Sequence, residues 1–194
     1  MHCDNFKPIF DFLQLFKDIT ECDQELISQQ LQFRKVTEGE VLLQEGKLAK
    51  ELFFVCKGIL KIVSFNEKGN PVIHFFMKEQ RFCTILKSLN DSIPANESII
   101  AACDAELIVI AKDKLLYLYH TLPYFKGLTT NIFQQSLLEK IKVRNSYMGE
   151  DATIRYQKFI SQQPDIALRV PLSDIASYLG ITQQSLSRIR KNIR

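Results

Sequence analysis

No stretch of this 194-residue chain approaches 18 consecutive apolar residues, so no membrane-spanning helix is expected. The opening residues, Met1-His2-Cys3-Asp4-Asn5, lack the basic and apolar regions of a secretory signal, which makes the cytoplasm the expected location. Cys-x-x-Cys pairs are missing too. The five cysteines (Cys3, Cys22, Cys56, Cys83, Cys103) are odd in number and scattered, which argues against a disulfide framework and against a zinc or iron–sulfur cage. His2, His74 and His120 lie in unrelated contexts. With no Ser/Cys–His pairing signature and no Gly-rich phosphate loop, nothing points to an enzyme, and no catalytic residue, metal or cofactor is expected. Disorder is likewise not expected, because 46% of the residues are hydrophobic and 24% charged, close to the globular average.

What charge there is gathers at one end. Residues 151–194 hold seven Lys/Arg against three Asp, a net +4, which leaves −1 for residues 1–150. That asymmetry suits a chain whose C-terminal part alone meets a polyanion, although helix-dipole matching also places basic residues there.

Three regions follow from periodicity. Phe6, Ile9, Phe10, Leu13 and Phe16 recur at helical spacing, and a short polar helix over 20–30 follows. From Phe33 to Ile110 the pattern becomes short apolar runs: 41–43, 52–55, 59–63, 72–76 and 107–110. Gly39, Gly46, Gly58 and Gly69 punctuate them, and Asn66 to Asn70 reads as a hairpin tip, so an antiparallel β-sandwich or roll is predicted. Beyond Lys112 helix returns, with Phe125, Leu128, Ile132, Leu137, Leu138 and Ile141 in one long segment over 124–147. Its apolar stripe needs cover, either from its own roll or from a twin helix in a dimer. Gly149-Glu150-Asp151 reads as a hinge, 151–162 as a helix, and Gln163-Pro164-Asp165 as a break.

The segment from Val170 to Lys191 carries the strongest signal, that of a helix-turn-helix. Pro171 suits a first helical turn, and Ile175 and Leu179 form a buried stripe. Ala176 lets a second helix cross closely, and Gly180 supplies the positive φ of a tight turn. Ile181 plugs the core, and Thr182 caps the next helix. In that helix Leu186, Ile189 and Ile193 should face inward, leaving Gln183, Gln184, Ser187, Arg188 and Lys191 outward. Gln and Arg can contact adenine and guanine edges in a major groove. Thr182, Ser185, Arg190 and Lys191 suit phosphate oxygens. The expected partner is double-stranded DNA. The alternative is a small-molecule-binding module whose C-terminal helices are structural, which weak salt dependence of DNA binding would favour.

The glycine-punctuated roll, central helix and C-terminal helix-turn-helix together resemble the CRP/FNR family of bacterial transcription regulators over nearly the whole chain. The resemblance is most specific at Ile175 to Thr182 and Ser185 to Lys191, and it extends to Gly39 to Gly46 and Leu52 to Gly58. It implies an α+β fold: a cyclic-nucleotide-binding-like jelly roll with flanking helices (1–123), a dimerisation helix (124–148) and an all-α DNA-binding domain (149–194). It further implies a homodimer, a two-fold symmetric operator, RNA polymerase as a further partner, and base reading by Gln183, Gln184 and Arg188. Members that bind cyclic AMP carry a Gly-Glu pair and an Arg-Ser/Thr pair. Here those places read Phe82-Cys83-Thr84-Ile85 and Pro94-Ala95-Asn96-Glu97, and Lys87 is the one basic residue between Phe82 and Ile110. A buried phosphate would lack its cation, so tight cyclic AMP binding is not expected and the effector is unassigned. The N-terminal cysteines are too few for the cluster of iron–sulfur members. His74 is placed as a haem ligand only by its strand position. Chain beyond the recognition helix is too short for a full β-hairpin wing, so wing contacts to the DNA backbone are not expected.

Overall fold

The computed structural model describes residues 4–193; Met1, His2, Cys3 and Arg194 lie outside it, and with them the readings placed on those residues. A short 3-10 helix, Asp4–Phe6, leads into α1 (Lys7–Gln14) and α2 (Glu21–Ser28), the latter capped by Thr20, whose hydroxyl accepts the Asp23 amide at 3.2 Å. Six strands follow: β1 (Gln32–Val36), β2 (Val41–Leu43), β3 (Glu51–Lys57), β4 (Leu60–Phe65), β5 (Pro71–Met77) and β6 (Phe82–Cys83). After α3 (Leu86–Asp91) come β7 (Ser98–Ala101) and β8 (Ala105–Ala111). The remainder is helical: α4 (Lys112–Thr121), α5 (Phe125–Tyr147), α6 (Ala152–Gln162), α7 (Pro164–Arg169), α8 (Leu172–Tyr178) and α9 (Gln183–Ile193).

The strands form two antiparallel four-stranded sheets, in the orders β1-β8-β3-β6 and β2-β7-β4-β5. Their facing sides make the core. Leu52 to Val55 of β3 are buried on both faces because α1 covers the outer one: the Phe12 ring lies 5.4 Å from Phe54 and 6.0 Å from Phe82. Phe133 of α5 joins the same cluster, 6.0 Å from Phe82. β4 and β5 form the predicted hairpin, tipped by Asn66, whose side chain accepts the Lys68 and Asn70 amides.

Two readings need adjustment. The stripe assigned to the central helix is divided: Phe125, Leu128 and Ile132 are buried, whereas Leu137, Leu138 and Ile141 are exposed, at 55%, 66% and 45%. Proline at 164 does break the helix, but its fixed φ then starts α7 rather than a loop. No helix among the described residues is long and apolar enough to cross a membrane.

Candidate nucleic-acid interface

α8 and α9 are joined by a turn that the sequence specifies residue by residue. Pro171 stands just outside α8, at its N-cap and not in its first turn as expected; its ψ of 145° is extended. At the other end Gly180 takes φ +67°. The Gly180 amide bonds to the Ser177 carbonyl at 3.1 Å, and the Ile181 amide to that of Ala176 at 3.0 Å. This pair of bonds is a Schellman closure, which satisfies carbonyls that the helix end would otherwise orphan. Thr182 then opens α9, its hydroxyl oxygen accepting the Ser185 amide at 3.1 Å. Ile175, Ala176, Leu179 and Leu186 are buried together with Tyr156 and Phe159 of α6 and Ile166 of α7. Ile189 is half-buried, and Ile193 is more exposed than expected, at 37%.

The opposite side of α9 is open. Thr182, Gln183, Gln184, Ser187, Arg188 and Lys191 are exposed, while Ser185 and Arg190 are half-buried. Ser185 lies 2.9 Å from the Thr182 hydroxyl and is engaged in the cap. Gln184, Arg188 and Lys191 recur at helical spacing and share a face. α9 contains no acidic residue. Arg188, Arg190 and Lys191 have no ion-pair partner among the described residues. Such a surface can offer bidentate amide and guanidinium donors to base edges and cations to phosphates.

Sequence reasoning missed the contacts that hold these helices to the roll. Lys61 Nζ of β4 meets Asp174 Oδ2 of α8 at 2.6 Å. Ser177 donates its hydroxyl to the Pro71 carbonyl at 2.7 Å and accepts the Ile73 amide at 3.1 Å. The Tyr178 ring lies 5.2 Å from Phe76, and Arg169 forks onto both carboxylate oxygens of Glu79 at 2.5 and 2.9 Å. Burial of Glu79 works to raise its pKa, but Arg169 and the Gly58 amide outweigh it and hold the carboxyl at about 2. The one legible signal was Lys61, a charge set in the apolar run Leu60-Lys61-Ile62. His74 is half-buried on β5 and bonds to the Ser64 hydroxyl at 2.7 Å, a cross-strand pair. Among the described residues no group of three or more His, Cys, Asp and Glu could hold a metal ion.

Residues 33–121 match the family model of the cyclic nucleotide-binding domain. Of curated proteins, the potassium channel KOR1 of Oryza sativa subsp. japonica is 37% identical over 67 residues, a third of this chain (33%) but only 8% of the channel's length. Solved structures match far more of the chain. FixK2 from Bradyrhizobium japonicum superposes with a TM-score of 0.72 at 15% identity, covering 84% of each chain. A transcriptional regulator of the CRP/FNR family from Eubacterium rectale reaches 0.74 at 18%, covering 94% of this chain and 87% of that one. The c-di-GMP responsive global regulator CLP of Xanthomonas campestris reaches 0.69 at 16%, covering 88% and 89%.

The chain shares the fold of these structures.

In this fold the stretch to which the sequence resemblance assigned a phosphate cassette, Phe82 to Glu97, includes β6, α3 and the loop before β7. Cys83 is fully buried, with its thiol pushed up to about 12 by that burial. Ile85 stands at the N-cap of α3 without a capping side-chain bond, and Lys87 is exposed. Pro94 and Asn96 are exposed and Glu97 is half-buried.

Proposed function

We propose that this chain is a sequence-specific, DNA-binding transcription regulator of the CRP/FNR type. It acts in the cytoplasm as a homodimer and recognises a two-fold symmetric operator in double-stranded DNA. The observation that carries the reading is the open face of α9: Gln183, Gln184, Ser187, Arg188 and Lys191 are exposed, uncompensated by any carboxylate of their own helix, and backed by a packed core that fixes their direction. Gln183, Gln184 and Arg188 read base edges; Thr182, Ser185, Arg190 and Lys191 contact phosphates. α5, within 124–148, pairs the two protomers through its uncovered half, and residues 1–123 and 149–194 are the sensor and reader domains. RNA polymerase is the further partner. The chain has no catalytic role, and its sensor does not hold cyclic AMP tightly, since neither place of the cassette offers an arginine.

The docking of α8 on β5 favours a second reading, in which the C-terminal helices are structural parts of a small-molecule-binding module. Selection from a random duplex pool separates the two. The regulator enriches a two-fold symmetric site, with or without cyclic AMP, and Arg188→Ala loses it. A module with structural helices enriches nothing and binds bulk DNA with little dependence on salt. Enrichment that requires cyclic AMP would overturn the statement about the sensor.

A further inference from the structure

The cations missing from the cassette are present in the structure, but on other elements. A cavity of about 580 Å³ opens between β6 and α3 on one side and α4 and α5 on the other. Its volume falls in the range of small-molecule sites, roughly 300–1,000 Å³. Phe82, Leu86 and Phe133 are among its apolar walls. Three lysines line it, Lys112, Lys126 and Lys140, and not one carboxylate. Lys112 is engaged, donating to the Ser92 hydroxyl at 2.8 Å.

Lys140 is different. It is half-buried, its Nζ lies 4.9 Å from the centre of the Phe75 ring, and no carboxylate among the described residues pairs with it. The neighbouring Glu139 is taken up by Arg81, at 2.7 Å. Burial lowers the Lys140 pKa and, with repulsion from Arg81, outweighs the opposing influence of Cys83, so the ammonium sits where a charge is costly without a partner. A cation held against apolar walls, with its neighbouring acid already engaged by Arg81, is complementary to one negative charge on an apolar body.

We propose that this cavity binds a small organic monoanion, a carboxylate with an aliphatic or aromatic body, through Lys140. The charge pairs with Nζ and the body fills the space between Phe82, Leu86 and Phe133. That such a ligand would act as an effector rests on the reading of the chain as a regulator; that it binds does not.

Titration calorimetry of the intact protein, without DNA, tests this with octanoate, octanol and cyclic AMP as probes. Octanoate is expected to bind roughly ten-fold or more tightly than octanol, the margin of a charge-assisted contact. Lys140→Met, which keeps the apolar stem, should erase that margin while leaving octanol binding and the circular dichroism spectrum unchanged. Equal affinity for octanoate and octanol in the wild-type protein overturns the proposal, and this comparison needs no variant to fold. A margin that survives Lys140→Met also overturns it, as does binding of cyclic AMP alone. DNA selection is read separately, so either result can fail without the other.

Discussion

Lys61 of β4 and Asp174 of α8 form a 2.6 Å ion pair across the boundary between the roll and the helix-turn-helix, their side chains only 18% and 10% exposed. Exposed ion pairs contribute little, whereas a buried one weighs heavily when only one partner is removed, since the other charge stays out of water. Asp174→Ala is therefore expected to cost about 3–5 kcal/mol in urea unfolding, and the double change Lys61→Met with Asp174→Leu to recover most of it. Where the helices undock instead of unfolding, the Ile73 amide reports it, because that amide is bonded to the Ser177 hydroxyl of α8. Its hydrogen exchange should quicken in Asp174→Ala. Unchanged exchange and unchanged stability would mean the pair holds nothing.

The second tie between the two parts depends on pH. The Glu79 carboxyl, ordinarily near 4.5, is held at about 2, so its contribution is present above 4.5 and is lost as pH falls toward 2. Both partners of the Arg169–Glu79 pair are partly exposed, which keeps the effect modest. Wild type should exceed Glu79→Gln in stability near pH 6, with the gap closing by about pH 3. A gap that widens on acidification would show that the native carboxyl is not held low.

Two glycines take positive φ for different reasons, and alanine separates them. At Gly180, φ +67°, an added Cβ would meet nothing nearer than Arg155 Nη1 at 3.8 Å. Only the backbone conformation resists, so Gly180→Ala should cost about 1–2 kcal/mol. At Gly58, φ +94°, the Cβ would lie 2.4 Å from the Asp104 carbonyl oxygen and 2.6 Å from Ala105 Cβ. There the β3–β4 corner must also move off the start of β8, and thermal unfolding should show a clearly larger loss. Equal losses would refute the steric account.

These cases show which parts of the molecule were legible in the sequence. The turn from Leu179 to Thr182 is local: a glycine, a plug and a cap act within a few residues, so spacing alone discloses it. Strands such as β1 (Gln32–Val36) and β6 (Phe82–Cys83) were not visible, the first because three of its five residues are polar, the second because it has only two. Asp174 and Lys61 stand 113 positions apart, and their meeting is a tertiary event that no periodicity encodes. The lysines of the cavity were overlooked for the same reason. They come from α4 and α5, not from the stretch next to α3, where a cation was sought.

Within α9 the exposed cations should divide by role. Arg188→Ala is expected to weaken binding to the selected operator by about 1–3 kcal/mol and relax preference at one base position. Lys191→Ala should weaken all sequences alike and lower the salt slope by about one. Electrophoretic mobility shifts on the operator and on a scrambled duplex, at several salt concentrations, distinguish these outcomes. Equal loss on both duplexes for Arg188→Ala would reassign it to phosphate.

The exposed half of α5 gives the last test. Phe125, Leu128 and Ile132 are spent on the roll, so Leu137, Leu138 and Ile141 project from the rest of a helix about 34 Å long with nothing over them in the single chain. Fully covering each such side chain is worth about 1.5–3 kcal/mol, and a two-fold seam would cover each residue twice. Leu138→Glu with Ile141→Glu should therefore convert a dimer to a monomer in sedimentation at micromolar protein, with the circular dichroism of the fold retained. Neither residue lines the lysine cavity, so octanoate binding should survive in the monomer. Wild-type protein that already sediments as a monomer would remove α5 as the pairing element and leave the two halves of an operator to be bound independently.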